Sequence, residues 1–172
     1  MNFLMENYKL KVNKLLNREY LSSVELDLTR CNMDAVFNQL YDSEKFDNFL
    51  STFLLCHKCN NKNLTKGSTV DIRFFIPFFY KLTVVNVFPN KGIHLITTGG
   101  MLIGETNILF TNENNKATIT FKFNMKGVNR LAHIFYFNFL YPGHEWYMNW
   151  RYKKLKKALY NCSNERIDYF ES

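Results

Sequence analysis

The sequence feature that most constrains the fold is a regular alternation of apolar and polar residues near position 120. Ala117, Ile119, Phe121, Phe123 and Met125 are apolar, and every residue between them is polar. Successive side chains of a β-strand point to opposite faces of a sheet, so a period of two places these five residues on one face. The pattern therefore predicts a strand with one buried and one exposed face.

Other strand-like runs surround this one. A run that starts near Tyr20 alternates over residues 22–28, and further runs occupy residues 52–59, 68–76, 80–88, 93–98 and 101–111. Short segments rich in Asn, Gly or Pro separate most of the later runs, and these residue types accept the backbone conformations of tight turns. Strands at this spacing, joined by short turns, favour an antiparallel meander.

Two short helices are predicted between the first strand and the meander. Asn32 can cap a helix over residues 33–41, and Ser43 can cap a second helix over residues 44–50. The side chains of Asn and Ser accept hydrogen bonds from the free amides of a first helical turn. The apolar residues of both segments recur at helical spacing, so each helix has one face to bury.

A long helix is predicted near the C-terminus, over residues 144–160, after helical sequence at 127–139 and a break or kink at Pro142. Its apolar face consists of Trp146, Trp150, Tyr152, Leu155 and Leu159. These residues recur three to four positions apart, as on one side of an amphipathic helix. Trp146 and Trp150 are therefore predicted to be buried against the sheet.

The order of elements predicts an α+β domain. A curved antiparallel sheet of about seven strands, with two short helices after its first strand, would wrap around the long C-terminal helix. A half-buried sheet needs a cover, and only this helix is long enough to supply it. We expect an arm or short helix at 1–19, the domain at 20–161 and a tail at 162–172.

Composition limits the classes of protein to which the chain can belong. Hydrophobic residues make up 47% and charged residues 22%, as in globular proteins. No apolar run approaches the roughly 20 residues of a transmembrane helix. Four irregularly spaced Cys and no visible secretory signal favour a cytoplasmic protein. The net charge of +7 permits an acidic partner, whether nucleic acid, anionic membrane or protein.

The order of elements resembles that of the START-like, or SRPBCC, superfamily, whose shape is the helix-grip fold. The segment "NMDAVFNQLYDSEKFDNFLSTF" is similar to the helix pair of its polyketide-cyclase-like branch. "KGSTVDIRFF" and "NNKATITFKFNM" are similar to two of that branch's strands, and "WRYKKLKKALYN" to the end of its last helix. The resemblance implies a cavity between sheet and helix that holds a small hydrophobic molecule, such as a lipid, quinone or polyketide.

Residues on the inward faces of the strands and of the final helix would line this cavity. The predicted ligand-binding residues are Ile72, Phe74, Leu82, Val84, Asn86, Phe88, Leu95, Ile108, Phe121, Phe123, Trp146 and Trp150, and Ile119 shares their face. Asn86 is the polar exception, since it alternates with Val84 and Phe88. Its amide would either orient a ligand or be satisfied inside the core.

Residue types that often carry chemistry give no recognisable motif. Four histidines are candidates for a general base: His57, His94, His133 and His144. None of them lies beside a nucleophile in a known pattern. Cys56 and Cys59 resemble half of a zinc knuckle, but no second pair completes a tetrahedral site. We therefore expect no metal and no cofactor, and the catalytic residues remain unassigned.

Three functions follow from these patterns and from the resemblance. Binding or carriage of a small hydrophobic ligand is preferred, because the alternation places most ionisable residues outward. An aromatase/cyclase-type enzyme would instead need inward Arg, Tyr, His or Asp. A co-chaperone-like interaction module would have a filled cavity and an exposed apolar patch. The basic run 151–157 is expected to be a solvated helix face, so nucleic-acid binding is disfavoured. Peripheral contact with a membrane is allowed. The sequence leaves the oligomeric state open.

Overall fold

The computed structural model describes residues 20–52, 55–74 and 78–167, with side chains described through residue 161. The arm predicted at 1–19 lies outside the described residues, as do the predicted strand positions 53–54 and 75–77 and the end of the tail at 168–172. Within the described ranges the chain forms seven strands, four α-helical segments and one π-helical segment.

The strands form one antiparallel sheet, which confirms the predicted α+β class. They are β1 (Tyr20–Asp27), β2 (Leu55–Cys59), β3 (Thr69–Phe74), β4 (Phe79–Phe88), β5 (Gly92–Gly100), β6 (Leu102–Glu113) and β7 (Lys116–Gly127). The helices are α1 (Met33–Tyr41), α2 (Ser43–Leu50), α3 (Arg130–Phe135), the π-helical segment (Tyr136–Leu140) and α4 (Tyr141–Ile167). The strand order is β1-β7-β6-β5-β4-β3-β2, so β2 to β7 form a meander and β1 closes its far side.

The register of the sheet places the apolar residues of neighbouring strands in rows. Val24 of β1 lies opposite Ile119 of β7, and Ile108 of β6 lies opposite both Phe121 of β7 and Ile93 of β5. All five side chains are buried. Paired residues point to the same face of a sheet, so these rows form the continuous inner surface that the C-terminal helices cover.

Both short helices are present, and their caps explain where they begin. Asn32 caps α1 as predicted, since its side chain accepts a hydrogen bond from the Ala35 amide at 2.7 Å. The prediction that Ser43 caps α2 is wrong. Asp42 occupies that position and accepts from the Lys45 amide at 3.1 Å, while Ser43 is the first helical residue and is buried.

The C-terminal helices form a longer unit than the sequence predicted. Of the break or kink predicted at Pro142, the break does not occur, since the helix runs through this residue. The five-residue π-helical segment joins α3 to α4, and the Tyr141 amide donates to the Tyr136 carbonyl five residues earlier. This wider turn precedes Pro142, which has no amide hydrogen to donate. The helix continues to Ile167, and no helix among the described residues is long and apolar enough to cross a membrane.

The inner face of α4 agrees with the predicted one in Tyr152, Leu155 and Leu159, which are buried, and differs in the two tryptophans. Met148, Tyr152 and Leu155 are buried against the sheet, whereas Trp146 is 72% exposed and Trp150 is 38% exposed. Each residue of an α-helix is rotated by about 100° from the last, so a residue two positions from Met148 points nearly away from its face. The prediction that Trp146 and Trp150 are buried is therefore wrong. It chose the inner face of the helix so that both large apolar tryptophans would lie on it.

A bulge in β4 changes which residues point inward. Val84 lies opposite Leu95, but Asn86 lies opposite His94, so β4 carries one extra residue at this point. An extra residue reverses the facing of everything beyond it. Asn86 is exposed and Phe88 is 55% exposed, so the prediction that they face the cavity is wrong.

Candidate functional site

Most of the other predicted cavity residues lie in the core between sheet and helices. The buried members are Ile72, Leu82, Val84, Leu95, Ile108, Ile119 and Phe121. Phe74 and Phe123 are half-buried and pack against the same contiguous hydrophobic cluster. The side chains of these residues fill the middle of the domain, which leaves the ends of the sheet as the place for an internal cavity.

A small internal cavity lies where β1, β4 and β7 meet the C-terminal helices. Its volume is about 20 Å³, and its lining consists of Tyr20, Tyr80, Phe123, Met125, Tyr136, Tyr141 and His144. A space of this size holds about one water molecule. Phe123 is the one residue of the predicted ligand-binding set that lines it. The lining is aromatic but not purely apolar, since four phenols and one imidazole face it.

A larger hollow of about 520 Å³ lies on the outer surface of the sheet, over β5, β6 and β7. Its wall includes Ile96, Ile103 and Glu105, which are exposed or half-exposed. The Glu105 carboxylate is paired with the His94 imidazole at 3.0 Å. This hollow is open to solvent and has no buried polar atom left without a partner, so the internal cavity is the candidate site.

The imidazole of His144 is held in place by aromatic rings. The Tyr20 ring lies at 4.8 Å with an interplanar angle of 82°, and the Phe123 ring lies at 4.7 Å with an angle of 75°. The Tyr141 ring also lies near the Tyr20 ring, at 5.3 Å. Nδ1 of His144 is buried without a hydrogen-bond partner among the described residues. Buried polar atoms in native proteins are nearly always satisfied, so this atom marks a site for a ligand or a water.

Burial sets the charge state of the groups around the cavity. It lowers the pKa of His144 to about 4, which keeps the imidazole neutral at neutral pH. It raises the pKa of Tyr136 to about 12, with smaller contributions from Tyr141 and Tyr20. Burial also raises the pKa of Tyr80, and the nearby Tyr136 phenol adds to that increase. The cavity thus offers protonated phenols and one neutral imidazole, and no net charge.

A second polar group lies further along α4, where it meets α2. Arg151 is 1% exposed and donates from Nε to the Phe49 carbonyl and from Nη2 to the Asn48 carbonyl. Tyr147 donates its hydroxyl hydrogen to the Leu50 carbonyl. These are the last carbonyls of α2, which have no partner within that helix and carry partial negative charge. Arg151 therefore joins two helices, and its position is structural.

His57 of β2 lies near this group and shares the sheet face of Ile72, its partner across the strand pair. Its pKa falls to about 3, first because of burial and then because of the positive charge of Arg151 and the proximity of His144. Nδ1 of His57 also has no hydrogen-bond partner among the described residues. The interior therefore holds two neutral imidazoles that the core does not fully satisfy.

Comparison with known proteins bears on the fold. No protein-family model matches the sequence, and no curated protein matches it. A solved protein of Staphylococcus epidermidis is 16% identical, with 83% of this chain and 90% of that chain covered and a TM-score of 0.57. The Aha1 dimer of Colwellia psychrerythraea is 13% identical, with 83% and 96% covered and a TM-score of 0.56. The chain has the helix-grip fold.

A third helix-grip neighbour, DynU16 of the dynemicin biosynthetic locus, is 13% identical, with 82% of this chain and 48% of that chain covered and a TM-score of 0.55. Identities this low establish a shared fold and leave the ligand open. They confirm the fold that the resemblance to START-like proteins implied. Any function has to be argued from the side chains of the site itself.

The other candidate residues lie away from the cavity. His94 is paired with Glu105, and the His133 ring packs at 4.5 Å from Phe137 on the C-terminal helices. Cys59 points inward with its thiol 3.2 Å from the Asp47 carboxylate, and burial raises its pKa to about 12. Cys56 is exposed, on the opposite face of β2. Within the part of the chain that the structure describes, no three His, Cys, Asp or Glu side chains are grouped as metal ligands.

Sequence reasoning missed the polar lining of this helix-grip interior, although two signals were available. Tyr80 is one step of the alternation before Leu82 and Val84, and Tyr20 is two steps before Val24 and Leu26, so extending each pattern backward predicts inward phenols. The other signal was the helical spacing from His144 to Met148, which depends on the correct phase of α4. Assigning Trp146 to the inner face hid this signal, because a residue two positions away on a helix points in nearly the opposite direction.

Proposed function

We propose that the protein binds a small, largely apolar molecule with at least one hydrogen-bonding oxygen, in the cavity beside His144. The observation that carries this proposal is the buried, unpartnered Nδ1 of His144 in a lining of aromatic rings. Ligand sites in proteins are mainly apolar, with a few polar groups that fix orientation. The Tyr and His side chains of this cavity supply those polar groups without any net charge.

The free-energy cost of leaving Nδ1 of His144 without a hydrogen bond favours a water or ligand in the cavity. A buried donor or acceptor without a partner costs roughly 1–3 kcal/mol, and a water or ligand oxygen at the cavity would recover part of that cost. Phenols at Tyr80 and Tyr136 stay protonated, since burial raises the pKa of both. They can therefore donate to an oxygen of the ligand, while the neutral imidazole donates or accepts according to its tautomer.

A ligand larger than water needs one wall of the cavity to move. Ligand sites usually measure about 300–1,000 Å³, far above the 20 Å³ of this cavity. The walls in β1, β4 and β7 are fixed by sheet pairing. The helical wall includes Tyr136 of the π-helical segment, which continues from α3. It is less anchored, since Ala132 is the one fully buried side chain of the eleven residues in α3 and this segment. We propose that this wall lifts to admit the ligand.

Proton transfer on the same ligand is the second candidate function, and the inward imidazole and phenols favour it. The neutral imidazole of His144 would take a proton from a carbon next to a ketone and become an imidazolium. The Tyr80 or Tyr136 phenol would hydrogen-bond the resulting enolate oxygen, and the proton would return to carbon on collapse. The neighbouring helix-grip protein from the dynemicin biosynthetic locus is compatible with either function.

Fluorescence titration of the full chain with 2-naphthol, a small fluorescent phenol, tests binding. We expect micromolar affinity, about −8 kcal/mol. His144→Phe should weaken binding about tenfold, because it keeps the ring and removes one hydrogen bond. The matched control is Tyr160→Phe, which removes the 2.8 Å hydrogen bond from the Asp27 amide outside the cavity and should leave affinity unchanged. Circular dichroism checks that both variants fold.

Two results would decide against these proposals. If wild type binds neither 2-naphthol nor a fluorescent fatty acid at 100 μM (about −5.5 kcal/mol), the ligand-binding function fails, and an interaction module with a filled core is favoured instead. If 2-naphthol binds but 2-tetralone shows no His144-dependent exchange of its α-hydrogens for deuterium, the protein is a binder and the proton-transfer function fails.

A further inference from the structure

The outer side of the C-terminal helices carries large apolar side chains that none of the residues described by the structure covers. The exposed members are Leu131, Ile134, Phe139, Trp146 and Trp150, named here the outer helix face. Leu131 is 79% exposed, Phe139 65% and Trp146 72%. Single exposed apolar residues are normal on protein surfaces, but a row of five along one helical unit indicates an interaction surface.

These five residues recur three, five, seven and four positions apart. Steps of three, four and seven keep to one side of an α-helix, and the step of five enters the π-helical segment, whose wider turn takes more residues. Ala132 and Met148, both buried, belong to the inner side. The Trp146 and Trp150 rings stack at 6.4 Å with an interplanar angle of 12°, and the Phe135 and Phe139 rings stack at 5.2 Å. Trp146 and Trp150 thus form one stacked pair on the outside, and Phe139 stacks on the half-buried Phe135.

Positive charge is concentrated in the same segment. Residues 126–157 contain seven Lys or Arg and one acidic residue, Glu145. The net charge of this segment is therefore +6, and that of the whole chain is +7. Arg151 is buried, so six of the cations remain for the surface. Lys154 places its ammonium 4.6 Å from the centre of the Trp150 ring, and Lys153 and Lys157 are exposed one and two turns beyond Trp150.

We propose that the outer helix face binds the surface of an anionic lipid membrane, with the helix axis parallel to that surface. Leu, Ile and Phe side chains would enter the region between headgroups and acyl chains, and the tryptophans would lie at the interface, where their rings are favoured. Exposed lysines beside an apolar face are attracted by anionic lipids and extend toward the headgroups. The protein would rest on the membrane without crossing it.

Charge and side-chain chemistry disfavour the other occupants. A two-fold dimer through this face would bring two copies of the same basic segment together, since such interfaces are self-complementary. Nucleic acid would use the lysines and could stack on the tryptophans, but it offers nothing for Leu131 or Ile134. An acidic protein would also match the charge, and it is an outcome of the test.

Vesicle sedimentation with the full chain tests the proposal. We expect at least tenfold stronger partition into vesicles of phosphatidylglycerol and phosphatidylcholine than into phosphatidylcholine alone, and loss of binding in 0.5 M salt. Tryptophan emission should shift to shorter wavelength on binding. The double variant Lys153→Gln/Lys157→Gln should reduce partition about 25-fold, since each lysine near an anionic surface contributes about fivefold.

The apolar part of the face has its own variants and a matched control. Leu131→Ser/Phe139→Ser should reduce partition at least tenfold. Leu21→Ser/Phe88→Ser replaces side chains of similar type and exposure, 58% and 55%, on β1 and β4, and should leave partition unchanged. All three variants change exposed residues, so circular dichroism should show the wild-type fold.

Each remaining outcome overturns the proposal. Equal partition of the wild-type chain and Leu131→Ser/Phe139→Ser shows that the outer helix face is not the contact. Absence of vesicle binding, together with binding to single-stranded poly(U) or to the acidic protein α-lactalbumin, assigns the face to those partners. A concentration-dependent dimer that Leu131→Ser/Phe139→Ser abolishes assigns it to a second copy. None of these results depends on whether the cavity beside His144 binds 2-naphthol.

Discussion

Arg151 of α4 donates a hydrogen bond from Nε to the carbonyl oxygen of Phe49, near the end of α2. The two residues also make a cation–π contact, with the guanidinium carbon 5.8 Å from the centre of the Phe49 ring. No carboxylate within salt-bridge distance of Arg151 is present among the described residues. The compensation for burying this charge therefore comes from helix-end carbonyls and aromatic faces.

Loss of the Arg151 contacts should destabilise the whole domain. Arg151→Met keeps much of the apolar stem and removes the donors to two α2 carbonyls, so we expect about 3 kcal/mol of lost unfolding free energy. Lys153→Met removes an exposed cation two residues away and should change stability by less than about 0.5 kcal/mol. Urea unfolding followed by circular dichroism gives both values. Equal values for the two variants would contradict the structural role of Arg151.

Substitutions in α4 should distinguish its true inner face from the one predicted by sequence. Met148→Ala should cost about 2–5 kcal/mol, because Met148 is 1% exposed and its loss leaves a cavity. Trp146→Ala should cost less than about 0.5 kcal/mol, since that side chain is 72% exposed. The free energy of unfolding in urea measures both. A reversed order of the two costs would show that Trp146, not Met148, packs on the sheet.

The buried histidines should make stability depend on pH in the mildly acidic range. Burial lowers the folded-state pKa of His57 to about 3 and of His144 to about 4, while an unfolded His has a pKa near 6.5. Below about pH 6.5 the unfolded state therefore binds more protons, so stability falls as the pH decreases toward 4 and is flat above 7.

The size of this effect can be checked by removing the two groups. Between pH 6 and pH 5 each histidine should lower the unfolding free energy by about 1 kcal/mol. His57→Gln/His144→Gln should be less stable than wild type at pH 7 but should lose about 2 kcal/mol less over that interval. Urea unfolding at several pH values measures the slopes. Identical slopes for the variant and wild type would mean that these imidazoles are not buried in neutral form.

The sheet could be predicted from the sequence because its signal is local and repeated. The alternation of Ile119, Phe121 and Phe123 has a period that only a strand satisfies, and Asn at turn positions marks where strands end. Asn90, Asn114 and Asn115 have positive φ in the structure, which explains why Asn stands there. The seven-strand sheet and the covering helix followed from the same reasoning.

The candidate site was less predictable because it depends on two irregularities of the backbone. The bulge beside Val84 turns Asn86 and Phe88 outward, and alternation alone does not show where a strand gains a residue. The phase of α4 depends on which of Trp146 and Met148 meets the sheet, and tertiary packing decides that. A buried Arg151 with backbone partners also contradicts the ordinary expectation that cations lie at the surface.

Hydrogen exchange should show which wall of the cavity opens. Residues 130–140 bury a single side chain fully, Ala132, whereas β7 pairs along its length with β1 and β6. Local opening is cheapest where few apolar contacts hold a segment, so amides of α3 and the π-helical segment should exchange faster than those of Lys116–Gly127. A ligand that occupies the cavity and lets this wall close over it should slow exchange in residues 130–144.

The measurement is mass spectrometry of peptides from the full chain, with and without saturating 2-naphthol, and the peptide over Lys116–Gly127 is the internal control. The entrance would lie elsewhere if 2-naphthol slowed exchange only in Lys116–Gly127. The same conclusion would follow if 2-naphthol bound but changed the exchange rate in neither segment.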